Sequence, residues 1–233
     1  TFEGCAAYME ASATTFKNPI DVAFDPAGNR LFVADIENNR VLVFNVATMT
    51  NGMAASVVLG QTSMDASTYG TSAATMFGPR GVAIDTTRNR LFVADSNNNR
   101  VLMFDSASLS NGALASGVLG QTVFDAGWAD AGSAGVMQSP QGIAVDPALD
   151  RLFVADSNNH RVLVFEFDGG AIQNGALASR VLGQPNKAER DAGTTAATLN
   201  GPTGLSFESV SKRLFVADRG NNRVLLFDTA DVA

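Results

Sequence analysis

The chain has 233 residues, a formal net charge of −7, 45% hydrophobic residues and one cysteine. That length suffices for a single all-β domain with a substantial core. The charge speaks against nucleic acid, no apolar run approaches the roughly 18 residues of a membrane span, and one cysteine allows no intrachain disulfide.

In chain order, residues 1–18 read as a loop that includes Cys5, taken as a small loop residue. No leader is visible, but the chain opens in mid-pattern, so this carries no information about compartment. Four short strands follow. Strand a ends at Asp25 and turns through Asp-Pro-Ala-Gly-Asn at 25–29. Strand b is the Leu-Phe-Val-Ala core of residues 30–35, and strand c is Val-Leu-Val-Phe at 41–44. After Asn51-Gly52, strand d is Val57-Val-Leu-Gly60, and a long d–a loop covers roughly 61–78.

The same unit then recurs. Arg-Leu-Phe-Val-Ala-Asp stands unchanged at 30–35, 90–95, 151–156 and 213–218. Asn/His-Arg-Val-Leu-x-Phe follows at 39–44, 99–104, 160–165 and 222–227. With Pro19, Pro79, Pro140 and Pro202 as markers, the copies lie 60, 61 and 62 residues apart. Asn-Gly turns return at 111–112 and 174–175, and strand d returns at 117–120 and 180–183. Such a period marks a repeat architecture. A four-stranded antiparallel sheet that is apolar on both faces must be covered on both, and stacking around an axis achieves this.

The expected fold is therefore an all-β β-propeller, a single domain over 1–233. Its blades fall at about 19–78, 79–139, 140–201 and 202–233, and the last lacks its outer strand d. A parallel β-helix is the runner-up, although its rungs are usually much shorter. Three outcomes stay open: a compact four-bladed ring, an open arc completed by another chain, or part of a longer propeller. An unpaired strand c edge favours association.

Val-Ala-Asp-x-x-Asn-His/Asn-Arg-Val-Leu-x-Phe, preceded by Pro-x-Gly-Val-Ala-x-Asp, resembles the NHL repeat. Asn159-His160-Arg161 is the closest match to that family's signature. The resemblance spans all four units, with departures at Asp21, where the others have Gly81, Gly142 and Gly204, and at Glu208 in place of Asp. It implies a propeller, most often six-bladed, and a bacterial, extracytoplasmic or secreted setting.

Alternating strand direction puts the b–c turns and the long d–a loops (61–78, 121–139 and 184–201) on one face, the usual place for function. Tyr69, Phe124 and Trp128 lie there as candidate anchors for a protein, peptide or glycan partner. Phe16, Met76, Met137 and Leu199, each three residues before a marker proline, are expected to tuck under a neighbouring blade. Asp95-x-Asn97-x-Asn99 begins like a calcium loop, but Arg100 stands where glycine is needed and Ser106 where a bidentate glutamate is needed. The recurring aspartates Asp35, Asp95, Asp156 and Asp218 are expected to accept backbone N–H bonds and pair with the following arginine.

His160, the only histidine, cannot anchor a zinc site of the kind some NHL-like amidating lyases use. Asp21 and Asp25 are the candidate metal ligands, with Asp85 and Asp146 as repeats of Asp25, and calcium is the ion such an axial site would take. The expected function is a non-enzymatic recognition or assembly module with no cofactor. The rivals are a metal-dependent lyase or lactone hydrolase, and a subunit that self-assembles through its open edge.

Overall fold

The computed structural model describes residues 10–125, 136–170 and 172–230. The regular elements in those segments are strands, apart from single 3-10 turns. The innermost strands are β1 (Pro19–Asp25), β5 (Pro79–Asp85), β9 (Pro140–Asp146) and β13 (Pro202–Glu208). Next come β2 (Arg30–Asp35), β6 (Arg90–Asp95), β10 (Arg151–Asp156) and β14 (Arg213–Asp218). The third row is β3 (Arg40–Asn45), β7 (Arg100–Asp105), β11 (Arg161–Glu166) and β15 (Arg223–Asp228). Short outer strands β4 (Val57–Leu59), β8 (Gly117–Leu119) and β12 (Arg180–Leu182) complete three sheets. The sheets run β1-β2-β3-β4, β5-β6-β7-β8 and β9-β10-β11-β12, all antiparallel, and the fourth is β13-β14-β15. This is a four-bladed β-propeller whose last blade has three strands among the described residues.

Alternation along each strand decides how the blades stack. Phe32, Ala34, Val41, Val43 and Leu59 face one way from the first blade and bury against Val82, Leu91, Val93, Leu102 and Phe104 of the second. The second meets the third through Phe92, Ala94, Val101, Leu152, Val154 and Phe165. The third meets the fourth through Phe153, Val162, Leu214 and Val216. Each large side chain removed from water in this way is worth about 1.5–3 kcal/mol.

At the hub, β1 packs on β5, β5 on β9 and β9 on β13, with no comparable packing from β13 back to β1 among the described residues. The blades thus follow one another about a common axis, and the outward faces of the first and last carry exposed apolar residues, Val22 and Phe24 on one and Phe215, Val224 and Leu226 on the other.

Polar template residues tie the blades together. Asn111 of the second blade accepts a hydrogen bond from the Val58 N–H of the first blade's outer strand (3.0 Å), and Gly112 N–H donates back to Val58 O. Asn174 and Gly175 repeat this on Val118. Met76, Met137 and Leu199 are buried, with Met76 beside Gly60 at the end of the preceding blade's β4. Phe16 departs from that expectation: it is exposed and rests against Phe44 of its own blade, with ring centroids 5.8 Å apart.

Candidate functional site

The face that carries the b–c turns and the d–a loops is held rigid by a repeated ion pair. Arg40, Arg100 and Arg161 are fully buried, and each donates its Nε to an equally buried Asp35, Asp95 or Asp156 at 2.7 Å. The other guanidinium nitrogens strap the long loops down. Arg100 donates to the carbonyls of Ser72 and Thr75 (both 3.0 Å), Thr71, and Phe124 (2.5 Å). Burial pushes the Asp95 carboxyl up, against the opposing pull of Arg100, Asn98 and the Phe77 N–H. In the last blade burial acts on Asp218 as well, but the Asn200 N–H, Asn221 and Arg223 outweigh it and its pKa falls. The calcium reading of this string gives way to the ion pair, because Asp95 is already saturated by Phe77 N, Asn98 and Arg100.

The next template residue explains the Asn/His position. Asn39, Asn99, His160 and Asn222 all adopt φ between 52° and 56°, the left-handed region that asparagine tolerates best after glycine. Asn39 and Asn99 use their side-chain oxygens to accept from the Gly78 and Ser139 N–H groups at 2.9 and 2.8 Å. His160 Nδ1 accepts from Gly201 N–H at 2.9 Å and so does the work of the asparagine oxygen. Its role is structural.

At the axis, each inner strand bulges. Arg80 and Gly81 lie between the pairs Pro79–Asp95 and Val82–Val93, so two residues of β5 oppose one residue of β6. Gln141-Gly142 and Thr203-Gly204 repeat the irregularity in β9 and β13. A bulge re-aims side chains, and here the first residue of each pair lines a cavity of about 680 Å³. Ile20, Asp21, Arg80, Gln141, Thr203 and Arg219 surround it. Asp21 stands where the other blades have glycine. Its carboxylate accepts the N–H groups of Val82 of the next blade (3.0 Å) and Val22 (2.9 Å). Burial raises its pKa, and those two hydrogen bonds pull the other way.

On the loop face, Tyr69 is 70% exposed and stacks on Phe77, with centroids 4.7 Å apart and planes at 27°. The two rings line a depression of about 420 Å³ with Gly70, Thr71 and Asn97–Asn99.

The residues singled out from sequence are dispersed. Asp21 and Asp25 are not brought together: Asp21 pairs with Ala34 and Asp25 with Arg30, near opposite ends of β2. Asp25 caps its own hairpin, accepting from Ala27 N, Gly28 N and Arg30. Burial acts to raise its pKa, but the Gly28 N–H and Arg30 overcome this and lower it. Asp85 and Asp146 sit in the equivalent hairpin turns, where Asp85 accepts from Thr87 N–H and Asp146 from Ala148 N–H, and Arg88 and Lys212 are their ion-pair partners. No group of three or more metal-ligating side chains occurs among the described residues. Phe124 is half-buried against the core between the first two blades, because Arg100 clamps its carbonyl. Trp128 and Cys5 lie outside the described residues.

Arg80, Arg219 and Phe77 escaped the sequence reading. The one signal for the two arginines was variation at template slots: Ile20, Arg80, Gln141 and Thr203 after the marker prolines, and Ile36, Ser96, Ser157 and Arg219 after the strand-b aspartates.

The NHL repeat pattern matches residues 16–44, 78–104 and 137–165. Protein SUPPRESSOR OF QUENCHING 1, chloroplastic, of Arabidopsis thaliana is 30% identical over 154 residues, which are 66% of this chain and 14% of that protein. NHL repeat-containing protein 2 of Homo sapiens is 32% identical over 89 residues, which are 38% of this chain and 11% of that protein. The chain thus spans only a small part of these relatives. Among solved structures, an auxiliary nutrient binding protein from Bacteroides ovatus superposes with a TM-score of 0.55 at 14% identity, over 91% of this chain and 48% of its own, a likeness of fold alone. The recurring template, the blades it builds and these matches together place the chain among the NHL-repeat β-propellers.

Proposed function

We propose that this propeller is a non-enzymatic recognition module that captures a protein, peptide or glycan on its loop face, with Tyr69 as the anchor. The observation that carries this reading is a large aromatic ring left in solvent yet held in place by stacking on Phe77. A pre-ordered aromatic loses little side-chain entropy on binding, and the carboxamide of Asn97 beside it offers both a donor and an acceptor. Screening wild type and Tyr69→Ala against peptide and glycan arrays tests it. The expected result is a ligand that wild type retains and the variant holds about thirtyfold more weakly, the scale of an aromatic anchor. Equal retention by both proteins would remove Tyr69 from the reading.

A second reading, self-assembly, is favoured by the open faces. Phe215, Val224 and Leu226 are 39%, 65% and 51% exposed, whereas their counterparts Phe32, Val41 and Val43 in the first blade are 0–2% exposed against the next blade. A blade of the same template, supplied by a second copy, would cover them. Light scattering at micromolar concentration should then give an assembly that Val224→Glu and Leu226→Glu dissolve. A wild-type monomer at every concentration would end this reading.

A further inference from the structure

From the residues that converge at the hub, we infer that the axial cavity is a binding site for a small oxyanion, a carboxylate or phosphate group held between Arg80 and Arg219. This site is separate from the Tyr69 surface and does not depend on it.

The argument begins with how this chain treats its other guanidinium groups. Arg40, Arg100, Arg161 and Arg223 are each saturated by a carboxylate and backbone carbonyls. Arg80 and Arg219 are the exceptions at the axis, for neither has a hydrogen-bonding or ion-pairing partner among the described residues. Arg80 Nε is moreover shielded from solvent. A buried unpaired donor costs free energy and calls for an explanation such as an ordered water or a bound ion; Arg180 and Arg190 each keep one such nitrogen as well, but outside this cavity.

The cavity's own carboxylate does not neutralise them. Both oxygens of Asp21 are turned onto backbone N–H groups, one on Val82 and one on Val22. Gln141 and Thr203 add further polar groups to the wall, and Gly81, Gly142 and Gly204 leave the backbone bare between them. The lining therefore presents two cationic forks against one engaged carboxylate, in a space of about 680 Å³ that suits a small organic acid or phosphate ester. Guanidinium groups match the planar, bidentate geometry of carboxylate and phosphate oxygens.

Both arginines sit at slots where the other blades carry different side chains. Arg80 takes the place of Ile20, Gln141 and Thr203, and Arg219 that of Ile36, Ser96 and Ser157. The blade template does not require them. Arg219 lies in the b–c turn of the last blade, and the equivalent Ser96 donates to Pro140 O of the next inner strand, so this slot faces the hub.

The test is calorimetric titration of the whole chain with citrate and, separately, with inorganic phosphate, at fixed low ionic strength. Wild type, Arg80→Gln, Arg219→Gln and Arg213→Gln are compared, the last as a control of equal charge change at an exposed residue outside the cavity. The expected result is saturable binding of at least one anion, weakened about tenfold or more by either cavity substitution and within about twofold of wild type for the control. Citrate alone marks a carboxylate site, phosphate alone a phosphate site, and both together a general oxyanion site. Because Arg80 is half-buried, Arg219→Gln in its exposed turn guards against loss of fold, and thermal melts of all four proteins check it. The proposal is overturned if neither anion binds with a Kd below about 10 mM. It is equally overturned if Arg213→Gln weakens binding as much as the two cavity variants do.

Discussion

Arg100→Met is expected to destabilise the fold by about 3–5 kcal/mol, the penalty for breaking a buried ion pair from one side. Asp95 would keep its full burial while losing its cationic partner, and Phe77 N–H and Asn98 would be its only remaining donors. The carbonyls of Thr71, Ser72, Thr75 and Phe124 would lose their shared donor at the same time. The d–a loops before and after the second blade would both come loose. The last blade supplies the internal comparison. Arg223 makes the same 2.7 Å bond to Asp218 but is 27% exposed, so water can take over its bonds there. Arg223→Met should cost about 1–2 kcal/mol. Urea denaturation monitored by fluorescence measures both, and equal costs for the two substitutions would show that burial is not what sets the strength of this clamp.

The second large effect concerns the hub glycines. A methyl group built on Gly142 falls within van der Waals contact of Thr203 O and lies 2.9 Å from Leu205 N, both backbone atoms of the next inner strand. Neither can rotate away, so Gly142→Ala must push the third and fourth blades apart at the axis. A loss of about 2–4 kcal/mol is expected, in the range of severe overpacking. Gly204 occupies the identical template slot, yet its added methyl meets only the Ala217 side chain at 3.7 Å, an ordinary contact. Gly204→Ala should change stability by less than about 0.5 kcal/mol. Thermal melts of the two variants decide the matter. A mild Gly142→Ala would mean that the inner strands slide past one another easily. Neither glycine has positive φ, so the requirement is for room between blades and not for a special torsion angle.

Asp21 shows the third way of occupying that slot. Its carboxylate reaches across to Val82 N–H, so a side chain bridges the first two blades where the other junctions use close backbone approach. Read from sequence, Asp21 looked like half of a cation site with Asp25. The structure instead gives Asp25 to its own hairpin turn and to Arg30. Strand geometry separates the two carboxylates, since residues four apart on an extended strand lie roughly 13 Å from one another.

Several features were legible because they repeat. The unchanged Arg-Leu-Phe-Val-Ala-Asp blocks mark the second strand of every blade, and the alternation around them assigns one face to each neighbour. The Asp–Arg pairing follows from two template residues five apart flanking a tight turn. Tyr69 was recognisable as a loop aromatic and does stand in solvent. Phe124, from an equally plausible stretch, is drawn inward by the arginine that holds its carbonyl. No local pattern distinguishes those two fates.

Sequence alone therefore determined the blade: its strands, its turns and the buried ion pair, all of which depend on residues close together in the chain. Tertiary structure alone decided what meets at the axis and what stays open at the two end faces. Arg80 and Arg219 lie more than a hundred residues apart in different blades, and only the bulged inner strands, converging on one axis, bring them to the same cavity. Short-range pattern fixes which face of a strand is apolar, whereas convergence across blades depends on the angle at which whole sheets pack.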